Sequence, residues 1–254
     1  MKGESVRRRQ FLKILGGAVA APLVLPGFAL AALQPVRIMC IGDSITQGFT
    51  AENGVQFISP LGGYRGPLQL DLLADLSIEM VGRTTDPESL QFGPYERATP
   101  HGTIPDVIAA APDIFAANTP DVVMILLGHN DCLNDVFANG YQIPHVDASL
   151  SQMTKLVTTV AGYVPDSEIL VGRMISPSTS LDSQNWAGRF NMYLPRYVDA
   201  ARRQGANVRV ANTTQDMTAA HLVDGIHLTP AGYQLLARNW ASAFRASSTH
   251  RRAA

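Results

Sequence analysis

A chain of 254 residues with 46% hydrophobic side chains has enough apolar material for a real core and lies near the upper end of the single-domain range. A net charge of −1 suggests neither nucleic acid nor an anionic membrane as a partner. The two cysteines, Cys40 and Cys132, come without zinc-type spacing and without a His-Glu-x-x-His motif, so no metal and no cofactor are expected.

The amino terminus reads as an export leader rather than part of the fold. Arg7-Arg8-Arg9-Gln10-Phe11-Leu12-Lys13 precedes an apolar, Ala- and Gly-rich stretch from Ile14 to Leu25. Ala29-Leu30-Ala31 then supplies small residues spaced as at a signal-peptidase site. The paired arginines resemble a twin-arginine signal, which implies a bacterial protein exported folded to the periplasm or beyond. A retained membrane anchor is the alternative. The stretch is short for a span and contains Pro22 and Pro26, so no stable membrane insertion is expected after cleavage. The division is therefore a leader over 1–31, one folded domain over 32–246 and a disordered polar tail over 247–254. In an exported chain a disulfide is possible, but two separate buried thiols fit the positions of Cys40 and Cys132 better.

Val36–Ile41 is a short β-favouring run that stops at Gly42-Asp43-Ser44-Ile45-Thr46-Gln47-Gly48. The glycines stand six apart rather than five and Phe49 follows instead of lysine, so this is not a Walker phosphate loop. A tight turn at the carboxyl edge of a sheet can instead present the Ser44 hydroxyl. A Gly/Pro-rich loop is expected over 54–66, a helix over 67–76 with Pro67 in its first turn, and a strand over 78–82. A long polar loop follows from Arg83 to about Gly102, a length usually reserved for function. Further on, 105–117 reads as helix and 121–127 as a strand buried on both faces. Next come a helix over 148–164, a strand over 168–174 and a helix over 185–204 broken or kinked near Pro195. A strand over 207–212 precedes the closing helix, with Thr229 as its N-cap and Pro230 as its first residue. Strands alternating with helices predict an α/β fold with a central parallel sheet covered on both faces.

Three polar clusters fall at the ends of separate predicted strands or in the loops after them: Asp43-Ser44, Gly128-His129-Asn130-Asp131 and Asp224-Gly225-Ile226-His227. Parallel strands bring such ends to one edge. Acyl transfer needs these groups: a serine, a base to take its proton, and a carboxylate to orient that base. It also needs amide donors for the oxyanion, which Asn130 and backbone N–H groups could supply.

Taken in order, Gly42-Asp43-Ser44, Gly128-x-Asn130-Asp131 and Asp224-x-x-His227 resemble the first, third and fifth blocks of the SGNH, or GDSL, hydrolases. Gly62-Gly63-Tyr64-Arg65 and Glu79-Met80-Val81-Gly82 are similar to the xylan-acetylesterase branch, carbohydrate esterase family three. The resemblance implies a flavodoxin-like three-layer α/β/α sandwich. It implies a serine esterase that deacetylates a polysaccharide such as xylan, with Ser44 as nucleophile, His227 as base and Asp224 as orienter. Oxyanion donors would be Asn130, the Ser44 amide and a second-block amide. Aligning the shared Thr-Ile of Arg97–Ile104 puts Ala98 where a glycine is expected, with Gly102 as the rival donor.

A lysophospholipase or broad acyl-ester hydrolase is the alternative substrate reading. A non-catalytic carbohydrate-binding module is the alternative of another class, disfavoured because all three triad residues are present. Asp43, Arg65 and His129 are candidates for contact with a small-molecule or polysaccharide ester. Each has a plainer role beside it: Asp43 could tie its turn through Asx-type bonds, Arg65 could pack or be solvated, and His129 could point inward.

Overall fold

The chain begins its first strand, β1 (Val36–Gly42), with Ile38 and Cys40 on one face and Met39 and Ile41 on the other. In this computed structural model, residues 34–52, 54–84, 95, 102–116, 118–247 and 249 are described. The expected leader, Ala98 and most of the expected tail lie outside them. After β1 come α1 (Ser44–Gln47), β2 (Phe49–Glu52), β3 (Val55–Ile58), α2 (Arg65–Leu72) and β4 (Ile78–Val81). The middle of the chain forms α3 (Ile104–Ala116), β5 (Val122–Leu126), α4 (His129–Asn139) and α5 (Ile143–Tyr163). The last part forms β6 (Glu168–Gly172), α6 (Leu181–Arg203), β7 (Val208–Ala211) and α7 (Pro230–Arg245).

Five strands pair in parallel in the order β4-β1-β5-β6-β7. Counted along the chain, that is the flavodoxin order, with the direction of winding reversing between β1 and β5. Ile38 and Cys40 pack with Leu68 and Leu72 of α2 and Leu236 and Trp240 of α7. Met39 and Ile41 pack with Ile114 of α3, Leu156 of α5 and Phe190 of α6. Both faces of the sheet are therefore covered, and β5 and β6 are buried along their whole length. Each such apolar side chain contributes about 1.5–3 kcal/mol through burial, so the layers hold without help from Cys40 and Cys132, both free and buried.

The expected elements are present, with three differences. Of the interruption or kink foreseen near Pro195, the interruption does not occur. Proline removes one backbone bond, but Leu194, Val198 and Ala201 are buried around it and α6 continues to Arg203. An antiparallel hairpin takes up the residues after α1, with β2 ahead of the loop expected over 54–66 and β3 inside it. Helix α4 follows β5 where only a strand end was foreseen. Thr229 caps α7 as expected, its hydroxyl accepting from Gly232 N at 3.0 Å. No helix among the described residues is long and apolar enough to cross a membrane.

Candidate active site

Ser44 is delivered by the end of β1. A side chain on Gly42 would put its Cβ 2.0 Å from Thr46 Oγ1, so only glycine allows the strand to turn this tightly. Asp43 then caps a single helical turn, accepting from Ile45 N at 3.0 Å. Ser44 is thus the first residue of α1 rather than the tip of a simple turn, and its amide has no intrahelical partner. Gly48 ends the turn at φ 99° with the Gly63 backbone directly against it.

His227 arrives from the loop after β7. Leu222 and Leu228 pair antiparallel, and Val223 N donates to His227 O at 2.8 Å, so the loop closes on itself. Within it Asp224 Oδ1 accepts from Ile226 N at 3.0 Å and His227 N at 2.7 Å. Asp224 Oδ2 lies 2.7 Å from His227 Nδ1, and His227 Nε2 lies 2.9 Å from Ser44 Oγ. Partial burial pushes the Asp224 carboxyl upward, but hydrogen bonds from the His227 ring and backbone and from Ile226 N outweigh it and hold the group below its ordinary value.

The hairpin buttresses this loop. The Phe49 ring sits 4.5 Å from the His227 ring, centroid to centroid. Thr50 Oγ1 donates to Leu228 O at 2.8 Å, and Tyr233 OH donates to Phe49 O at 2.5 Å.

Asn130 stands in the first turn of α4, just past β5, where Gly128 at φ 117° redirects the chain. Its Nδ2 donates to Gly102 O at 3.2 Å, which uses one of two amide protons and ties it to the segment leading into α3. Asp131 accepts from Ile104 N at 3.1 Å, the first residue of α3. Burial pushes the Asp131 carboxyl up to about 6 despite that bond.

A serine, a histidine-carboxyl pair and an asparagine amide thus come from the ends of β1, β5 and β7, with β1 and β5 flanking the point where the winding reverses. Residues 40–235, which contain all of them, match the model of the GDSL-like lipase/acylhydrolase family. The chain belongs to the GDSL-like lipase/acylhydrolase family. As a member of that family it is a carboxylic ester hydrolase. It is 22% identical to a multidomain esterase of Ruminococcus flavefaciens over 94% of its own length and 32% of the relative's, so it spans about a third of that protein. Among solved structures, it is similar to a Clostridium thermocellum family 3 carbohydrate esterase, with a TM-score of 0.61, 24% identity and coverage of 82% of this chain and 94% of that one. It is also similar to a family 3 carbohydrate esterase from Talaromyces cellulolyticus, with a TM-score of 0.59, 20% identity and coverage of 82% and 96%. A third likeness is to the acetylxylan esterase Axe2 of Geobacillus stearothermophilus, with a TM-score of 0.56, 18% identity and coverage of 82% and 93%. These likenesses show the shared fold.

Three residues expected at the substrate are placed differently in this GDSL-family hydrolase. Arg65 is fully buried under the Tyr95 ring, its Nε donating to Thr46 O at 2.9 Å. Asp43 and His129 are buried too, hydrogen-bonded to each other at 3.1 Å. All three face inward: Arg65 and Asp43 bond the backbone of the Ser44 turn, and His129 bonds Asp43 and Ile175 N. Phe49 and Thr50, packed beside the His227 loop, are neighbours that the sequence reading missed. Past the loop that carries Asp224 and His227 lies a pocket of about 440 Å³ whose walls include Ser176, Ser178, Gln184 and Thr218. Ser178 N donates to Gly225 O at 2.7 Å, joining its rim to the Asp224–His227 loop. Among the described residues, no three His, Cys, Asp or Glu side chains are grouped as a metal ion would need.

Proposed function

We propose that this chain hydrolyses acetyl esters of a polysaccharide such as acetylated xylan through Ser44, His227 and Asp224. The unbroken line from Asp224 Oδ2 through His227 to Ser44 Oγ, at 2.7 and 2.9 Å, is the observation that supports it most. In this reading, Ser44 Oγ attacks the ester carbonyl carbon as its proton passes to His227 Nε2. The Ser44 amide and the Asn130 side chain stabilise the tetrahedral oxyanion, with the Gly102 or Ala98 amide as further donor. His227 then returns the proton to the leaving sugar oxygen. Water, activated by the same ring, attacks the acetyl-serine, and acetate departs with Ser44 restored. Asp224, held below its ordinary range, stays ionised to orient His227 and stabilise its cation.

The acetyl and polysaccharide part rests on what the similar proteins are, an acetylxylan esterase and two family 3 carbohydrate esterases among them. Ser44→Ala should lower turnover of p-nitrophenyl acetate by about 10³-fold or more. Undiminished turnover ends the mechanism. Acetate release from acetylated xylan set beside acyl release from lysophospholipid tests the substrate, and preference for the lipid ends the polysaccharide reading. Export through the Arg7-Arg8 leader belongs to the same proposal, and Arg7→Lys with Arg8→Lys should leave the protein in the cytoplasmic fraction.

A further inference from the structure

We propose that His129 is a positioning residue that sets the nucleophile and its oxyanion donor in register. This rests on Ser44 being the nucleophile. The imidazole is only 2% exposed and makes two bonds. Ile175 N lies 3.1 Å from Nε2, and a backbone N–H can only donate, so Nε2 is the accepting nitrogen. The ring proton therefore sits on Nδ1 and is donated to Asp43 Oδ2 at 3.1 Å. The other oxygen of Asp43 caps α1 through Ile45 N. Carboxyl rotation would move that cap and with it Ser44, the next residue. One ring thus ties together the end of β1, the first turn of α4 beside Asn130, and the segment after β6.

A ring held at both nitrogens also defines a single carboxyl orientation, which a lone Asx-type bond would not. The distance at stake is the 2.9 Å between Ser44 Oγ and His227 Nε2. A misplacement of about 1 Å in such a pair lowers the rate by about 10²-fold.

The test separates the two bonds. His129→Phe keeps the ring shape and loses both. His129→Asn places its Nδ2 where the imidazole Nδ1 was, on the same Cγ, and so keeps the donor to Asp43. His129→Gln reaches Ile175 N but presents no donor to Asp43. On p-nitrophenyl acetate, His129→Phe and His129→Gln should lose about 10–100-fold in kcat with KM within about twofold, and His129→Asn should recover to within about fivefold of wild type. Inactivation by phenylmethylsulfonyl fluoride, which reports on the serine directly, should slow in parallel. Should His129→Phe not accumulate folded, His129→Gln against His129→Asn decides by the same criterion. A wild-type kcat in folded His129→Phe or His129→Gln, or an asparagine variant as slow as the glutamine one, overturns the proposal. Ser44→Ala run alongside keeps the two readings apart: its inactivity with a fast His129→Gln rejects only the role of His129, whereas an active Ser44→Ala rejects the nucleophile itself.

Discussion

His227 and Asp224 stand three residues apart on one loop, with side chains 15% and 30% exposed. His129 and Asp43 are 86 positions apart, brought together by the sheet and almost wholly buried, at 2% and 1%. The two pairs have the same chemistry and opposite surroundings. In the outer pair one ring nitrogen is held and the other faces a hydroxyl, so a proton can move along it. In the inner pair both nitrogens are committed to fixed partners. On the proposed roles, the imidazole that faces a hydroxyl is the base and the one committed at both nitrogens is the brace.

That contrast can be pressed hardest at Asp224. Asp224→Asn can offer its own N–H to Nδ1 and so favour the wrong tautomer of His227, and kcat on p-nitrophenyl acetate should fall by about 10³–10⁴-fold with the fold retained. A loss under tenfold would mean that the outer pair does not work as a proton-transfer unit. Asn130→Ala is next. Removal of one oxyanion donor should lower kcat by about 10²-fold with KM nearly unchanged. Phe49→Ala removes the ring packed 4.5 Å from His227. With Asp224 and the backbone still in place, kcat should drop only several-fold, roughly 3–10-fold by the same reasoning on misplacement.

A further effect is on stability rather than turnover, and its sign separates two carboxyls. Asp224 is held below its ordinary value, so its contribution is fully present above the unfolded value and is lost as the pH falls through the folded one. Asp131 is pushed from 3.8 up to about 6, so the folded chain binds its proton more tightly. Its effect runs the other way: stability declines as the pH rises through that interval and is level above it. Asp131→Asn should flatten this slope in urea titrations and raise stability at pH 7 by on the order of 2 kcal/mol. An unchanged slope would show that Asp131 is not the group responsible.

The sheet was legible because its strands are dense apolar runs, Asp121–Leu127 above all, and buried parallel strands are written that way. Asp224 and His227 were legible because they are near neighbours on one loop. The inner pair was not, since no local pattern announces that Asp43 will meet His129 across two strand ends. Nor could the burial of Arg65 be read from its place at a helix start. The hairpin was missed for a different reason. Its signal was present as Asn53-Gly54, a turn-forming pair between two β-prone stretches, but the glycines and proline around it read as loop. Ala98 stays where the second-block comparison put it, outside the described residues.

Hairpin and sheet differ in how firmly they stand. A two-stranded ribbon is marginal by itself, and β2 and β3 are fastened by Thr50 to Leu228 O and by Tyr233 to Phe49 O. On gentle warming this ribbon should peel away while the five-stranded layer stays intact, releasing the imidazole it steadies. Hydrolysis would then fade at temperatures where circular dichroism still reports a native molecule, and cooling would bring it back.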